Sequence, residues 1–116
     1  MPVPVQITFR DMEPSAAIEE RIHARAAQLD RFDDRITHCH VVVQAPHRHH
    51  QHGAIYQVHV DLTVPGAHVV ANRHPDANHS HEDVYVAVRD AFDAARRQVE
   101  DHVRRQRGAV KTHAPS

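Results

Sequence analysis

The segment from Tyr56 to Val64 alternates apolar and polar residues without interruption. Successive side chains of a β-strand point to opposite faces of the sheet, so this alternation predicts a strand with one buried face. Pro65 and Gly66 follow at once, and this pair occupies the two central positions of a type II turn. Residues 67 to 73 then predict a further strand, so the region as a whole predicts an antiparallel hairpin.

Two earlier segments show the same alternation, at residues 3 to 10 and at residues 36 to 45. They predict strands one and two, which makes the hairpin segments strands three and four. A helical segment separates strands one and two, and a crossover through a helix joins parallel strands. We therefore expect strands one and two to be parallel, and the later pairs to be antiparallel.

Two segments carry apolar residues at helical spacing. The first runs from residue 14 or 15 to about residue 32. The second is expected to start at Ser80, where Asp83 three residues on makes a variant capping box, and to run toward Arg107. The sequence therefore predicts an α+β fold of order β-α-β-β-β-α, with two helices packed on one face of a four-stranded mixed sheet.

The length and composition limit the classes of function. The 116 residues predict one domain over residues 1 to 107, with a short flexible tail at residues 108 to 116. The single cysteine, Cys39, excludes an internal disulfide and a multi-cysteine metal cluster. The sequence has no standard export signal and no run of eighteen apolar residues, so we expect a cytoplasmic protein that neither enters nor crosses a membrane.

Positive charge is concentrated on the two predicted helices, although the formal net charge of the chain is only −1. Two helices side by side would join these cations into one groove-like surface suited to a phosphate backbone. The alternative is a solvated face closed by ion pairs between residues four positions apart. The cations are Arg25 and Arg31 on helix one, and Arg96, Arg97, Arg104, Arg105 and Arg107 on helix two. The pairs would be Asp93–Arg97, Arg96–Glu100, Glu100–Arg104 and Asp101–Arg105.

Histidine accounts for fourteen residues. Four of them, His47, His49, His50 and His52, lie between strands two and three, where they would either gather a Zn, Ni or Cu ion or form a solvated loop. Three more, His38, His40 and His59, are expected on the outer face of the sheet, as a cross-strand cluster or as solvent-facing polar residues.

The chain has no phosphate loop, nucleotide-binding fingerprint or serine elbow. The stretch HSHEDVY, residues 79 to 85, lacks the second histidine of a zinc protease and the later cysteines of a deaminase. We therefore predict a protein that is not an enzyme, that needs no cofactor and that has no small-molecule substrate.

Residues Glu82 to Val99, EDVYVAVRDAFDAARRQV, resemble the second helix of the ribosome hibernation-promoting factors, also called protein Y or ribosome-associated inhibitor. The family pattern D-x-Y-x-A-I-D, followed by R-Q-L, is matched at Asp83, Tyr85 and Ala87 and again at Arg97 and Gln98. The segment LDRF at residues 29 to 32 resembles the family's helix-one ending.

This resemblance implies a double-stranded-RNA-binding-like fold. It also implies a short-form translation inhibitor, which binds 16S rRNA in the mRNA and tRNA channel of the small ribosomal subunit under stress or in stationary phase. The residues that stand where the family places rRNA-contacting cations are Arg25, Arg31, Arg97, Arg104 and Arg105. Whether such a protein promotes or opposes ribosome dimers is not implied.

The resemblance does not account for the histidines. Because histidine changes its charge between pH 5 and 8, one hypothesis is that acidification turns a weakly basic protein into a strongly cationic one and tightens its binding to RNA. A rival hypothesis is a histidine-rich metal-binding or metal-sensing domain on the same fold. A third is a protein-interaction module without ribosome binding.

Overall fold

The computed structural model describes residues 4 to 32, 35 to 45, 56 to 72 and 83 to 113. The elements are β1 (Val5–Arg10), α1 (Ala16–Phe32), β2 (His38–Gln44), β3 (Gln57–Val64), β4 (Ala67–Asn72) and α2 (Val84–His113). This order confirms the predicted β-α-β-β-β-α fold. None of the helices in these ranges combines the length and the apolar character needed to cross a bilayer.

The four strands form one sheet in the order β1-β2-β3-β4. Strand β1 runs parallel to β2, with Val5 opposite Cys39. The β2–β3 and β3–β4 pairs are antiparallel, and Val60 of β3 lies opposite Val41 on one side and Ala71 on the other. Gly66 in the β3–β4 turn has a φ of 82°, as the third residue of a type II turn requires, so the predicted hairpin is confirmed.

The core lies between one face of the sheet and the two helices. Helix α1 packs on β1, helix α2 packs on β3 and β4, and the helices contact each other. The alternation of β2 is confirmed, because Cys39, Val41 and Val43 are buried and the residues between them are not. Ile22 and Val88 bring the helices into this core with no exposed surface. Complete burial of such a side chain stabilises the fold by about 1.5–3 kcal/mol.

Both helices begin at a side-chain cap. The Ser15 hydroxyl accepts a hydrogen bond from the Ile18 amide at 3.3 Å, which confirms the predicted start of α1. At α2, the Asp83 carboxylate accepts a bond from the Tyr85 amide at 2.9 Å, and the Asp83 carbonyl accepts one from Ala87 at 3.1 Å. The predicted start at Ser80 is therefore wrong, because an aspartate caps a helix as well as a serine does and Asp83 takes that position.

Helix α2 also ends later than predicted. It continues to His113, so the expected end near Arg107 is wrong, and residues 108 to 113 of the expected flexible tail are helical. Gly108, the first residue of the expected tail, lies in helical backbone. A glycine inside a helix costs only about 1 kcal/mol relative to alanine, which does not by itself end the helix.

Candidate nucleic-acid interface

A groove of about 360 Å³ runs between α1 and α2 on the outer surface of the helical layer. Its floor is apolar, because Leu29 and Phe92 are both buried. Its walls are charged and polar, with three guanidinium groups against one carboxylate. The lining residues are Arg25, Gln28, Leu29, Arg31, Phe92, Asp93 and Arg96.

Helical spacing produces this arrangement of floor and wall. Arg25 lies four residues before Leu29, and Arg96 lies four residues after Phe92, so each arginine shares a helix side with an apolar floor residue. The Arg25 guanidinium donates a hydrogen bond to the Gln28 amide oxygen at 3.5 Å, within the same wall. Packing of the two helices then brings Arg25 and Arg31 of α1 and Arg96 of α2 to one groove, whereas Arg97, Arg104 and Arg105 are not among its lining residues.

The expected ion pairs are mostly missing. Of the four pairs predicted at a spacing of four residues, only Arg96 with Glu100 is present, at 3.3 Å. Arg104 is instead 3.7 Å from Asp101, and both of these side chains are more than half exposed. Exposed pairs of this kind contribute only about 0–1 kcal/mol.

Three other predicted cations are not neutralised by any described carboxylate, so they can bind a phosphate. Arg31, Arg97 and Arg105 have no ion pair with any described residue, and all three are exposed. A surface closed by its own carboxylates, the alternative weighed from the sequence, does not describe this face.

The five predicted contact residues are not equivalent. Arg25 and Arg31 line the groove, and Arg97 follows the groove residue Arg96. Arg104 lies seven residues after Arg97, which returns it to nearly the same side of α2. Arg105 is turned by about 100° from Arg104, so it faces away from that line.

One residue of the helix interface, Arg21, was missed as a candidate site residue. The Arg21 guanidinium lies 4.8 Å from the centre of the Tyr85 ring and joins the two helices beside the groove. Spacing was the signal that could have found Arg21, since it lies four residues before Arg25. Arg96, which was expected on the positive surface but not among the rRNA contacts, lines the groove itself.

The histidines do not form a metal site in the described part of the chain, where no group of three or more potential ligands comes together. The predicted histidine loop with His47, His49, His50 and His52 lies outside the described residues. His40 and His59 lie on the open face of the sheet, opposite the helices, as expected. Cys39 is buried, and desolvation, followed by the charge of Asp61, raises the pKa of its thiol to about 12.

Two solved structures share this fold. A ribosomal subunit interface protein from Coxiella burnetii is 18% identical, with a TM-score of 0.64 over 86% of this chain and 97% of its own. The N-terminal domain of protein Y from Thermus thermophilus is 22% identical, with a TM-score of 0.60 over 88% of this chain and 99% of its own. No curated protein matches the chain.

A family model supplies a match at the level of sequence. The model described as sigma 54 modulation protein / S30EA ribosomal protein matches residues 5–107, which include the whole sheet, α1 and the part of α2 that borders the groove. The chain therefore belongs to the sigma 54 modulation protein / S30EA ribosomal protein family.

Proposed function

We propose that the protein is a ribosome-associated translation inhibitor, which binds 16S rRNA in the mRNA and tRNA channel of the small ribosomal subunit under stress or in stationary phase. Membership of the family supports the ribosome-associated role. The observation that carries the RNA-binding role is the convergence of Arg25, Arg31 and Arg96 on one groove whose lining includes one carboxylate, Asp93, with Arg96 also paired to Glu100.

The chemistry of the groove suits a sugar-phosphate chain. A guanidinium group donates two parallel hydrogen bonds to phosphate oxygens, and three such groups follow the groove. Arg97 and Arg104 lie about 80–100° around α2 from the groove residue Arg96, so they add positive charge beside the groove. The chain has no tryptophan, and Phe92 is buried in the groove floor, so base stacking does not drive the binding. Phosphate contacts position a protein on RNA without reading its sequence, which suits a fixed site on rRNA.

Inhibition then needs no chemical step. A folded domain that occupies the channel excludes mRNA and tRNA by volume alone, and its release restores the subunit. The function therefore depends on affinity, and the affinity depends on the number of phosphates that the arginines neutralise.

Co-sedimentation with purified small subunits over a salt series at pH 7.5 tests this proposal. Arg31→Ala should weaken binding and lower the slope of log affinity against log salt by about 0.7–0.9, the value of one lost phosphate contact. Arg25→Ala with Arg31→Ala should lower it by about twice as much.

The matched control is Arg10→Ala, which removes one exposed arginine from the opposite face of the sheet. Its slope at pH 7.5 should equal that of the wild type. Equal slopes for the wild type and the double groove variant would overturn the assignment of the groove, and failure of the wild type to sediment with small subunits would overturn the proposed function.

A further inference from the structure

The face of the sheet opposite the helices carries a second group of ionisable side chains. The arginine groove lies on the helical side, and none of the residues on this open face contributes to it. The four strands bring four histidines to this face from three strands. Its ionisable groups are Arg10 on β1, His38 and His40 on β2, His59 and Asp61 on β3, and His68 on β4.

One further charged group borders the face at the end of β1. The Asp11 carboxylate accepts a hydrogen bond from the Gln44 amide at 3.3 Å. Within the described residues, the face therefore holds one arginine and two carboxylates besides the histidines. Its formal charge is −1 when the histidines are neutral and +3 when all four are protonated. Protonation thus reverses the sign of this surface.

The register explains which cations would be free. Asp61 lies directly across from His40, and its carboxylate is 3.6 Å from the His68 imidazole. Protonated His68 would therefore be paired with Asp61. His38 and His59, which no carboxylate contacts in the described part of the chain, would remain available together with Arg10.

His40 is held in a conformation that accommodates the added proton. Its Nε2 atom lies 3.0 Å from the Thr8 hydroxyl oxygen, which accepts a hydrogen bond when that nitrogen is protonated. In the charged form both ring nitrogens of His40 carry a proton, so Nε2 donates to the Thr8 hydroxyl and Nδ1 has a proton to donate to a ligand.

These groups surround a depression with room for a ligand. It has a volume of about 370 Å³, and its ionisable lining residues are Arg10, His40, His59 and Asp61, beside the amides of Gln44 and Gln57. Guanidinium, imidazolium and amide groups all donate hydrogen bonds, and a phosphodiester backbone offers only acceptors. Once both histidines carry charge, three cations stand against the one Asp61 carboxylate in this lining, so the depression is complementary to a phosphate chain.

We propose that the open face of the sheet is a second binding surface for an RNA sugar-phosphate backbone, which is engaged only when its histidines are protonated. The proposal rests on the proposed function for the source of the RNA, since a domain in a channel of the small subunit would have RNA on both sides. The arginine groove binds at any physiological pH, because arginine keeps its charge. The open face adds contacts on acidification, and the same domain then bridges two RNA segments.

The salt dependence of binding at two pH values tests this surface. Affinity for small subunits, and separately for a single-stranded RNA oligonucleotide, is measured over a salt series at pH 7.5 and pH 6.0. Two added phosphate contacts should steepen the wild-type salt slope by about 1.4 at pH 6.0 and raise the affinity about tenfold. The variant His38→Gln/His40→Gln/His59→Gln/His68→Gln should lose this gain at pH 6.0 and match the wild type at pH 7.5.

Two controls separate this surface from other sources of pH dependence. His23→Gln removes an exposed histidine from α1 and should keep the full gain. The Arg25→Ala/Arg31→Ala variant should bind more weakly at both pH values and still show the gain. If the fourfold variant fails to give the cooperative unfolding of the wild type, His59→Gln and His38→Gln serve singly, and each should lose part of the gain.

Failure of the two proposals would look different. A fourfold variant that keeps the acid gain, or a wild type with equal affinities at both pH values, would overturn the second surface and leave the proposed function intact. If the wild type binds small subunits at neither pH and yet shows the histidine-dependent gain with the oligonucleotide, the ribosomal function is overturned and the second surface stands.

Discussion

The guanidinium of Arg21 lies 4.8 Å from the centre of the Tyr85 ring. Arg21 belongs to the first half of α1 and Tyr85 to the first turn of α2, so this contact joins the two helices beside the groove. A cation over an aromatic face is stabilised by the electrostatic field of the ring. The contact therefore helps to set the spacing of the helices that carry the arginine groove.

A double-mutant cycle measures this contact. Arg21→Ala and Tyr85→Leu should show a coupling free energy of about 0.5–1 kcal/mol in urea unfolding, because each change removes the same interaction. Arg25→Ala with Tyr85→Leu is the control pair, and these two changes should be additive. A coupling no larger than that of the control would mean that the contact does not stabilise the helix pair.

The Asp83 cap should be measurable as a loss of stability. Asp83→Ala should lower the free energy of unfolding by about 1 kcal/mol, since the Tyr85 amide loses its acceptor. Asp83→Ser should retain most of this stability, because a serine hydroxyl accepts the same bond. Equal losses for the two variants in urea unfolding would argue against the cap.

The turn at Gly66 has room for a side chain. Its backbone conformation, however, is one that residues other than glycine rarely adopt. A Cβ atom placed there meets no other atom within 4 Å, and the φ of 82° is the conformation that L-residues rarely adopt. Gly66→Ala should therefore cost about 1 kcal/mol through the backbone alone. Gly66→Asn should cost less, because asparagine tolerates this region, and thermal unfolding of both variants would test the order.

The thiol of Cys39 should be unreactive in the folded protein. A pKa raised from 9.0 to about 12 by burial lowers the thiolate fraction at pH 8 roughly a thousandfold. Alkylation by iodoacetamide should therefore be slow in buffer and fast in urea. Rapid alkylation of the folded protein would show that the thiol is not buried as described.

The same shift predicts a pH dependence of stability. The folded protein holds the thiol proton more tightly than the unfolded chain, whose thiol titrates near pH 9.0. The contribution of Cys39 is therefore fully present below pH 9 and is lost as the pH rises toward about 12. Relative to Cys39→Ala, the wild type should lose free energy of unfolding above pH 9, and parallel curves for the two proteins would contradict this sign.

The position of each arginine around α2 should decide its effect on ribosome binding. Arg104 lies about 80° around α2 from the groove residue Arg96, whereas Arg105 lies about 180° from it. Arg104→Ala should lower the salt slope for small subunits by close to one contact, and Arg105→Ala should change it less. Co-sedimentation of these two matched variants gives the comparison, and a larger effect at Arg105 would contradict this orientation of the helix.

Local patterns were sufficient for the elements and their buried faces. The alternation of Val58, Val60 and Leu62 determined both the strand and the face that it buries, because a side chain's face follows from its position along a strand. The helix ends were less well predicted. Asp83 and Ser80 are both good caps by residue type, and only the hydrogen bond from the Tyr85 amide to Asp83 identified the cap.

The sequence by itself thus determined the order of strands and helices, the core and the residues able to carry positive charge. Only the tertiary structure decided that Arg25 and Arg96 share one groove, that most of the expected ion pairs do not form, and that His40 and His68 lie on either side of Asp61 on the opposite face. The physical reason is the separation along the chain of the residues that decide each feature. Periodicity follows from the geometry of a few neighbouring residues, whereas a charged surface is assembled from helices and strands that meet only when the core is packed.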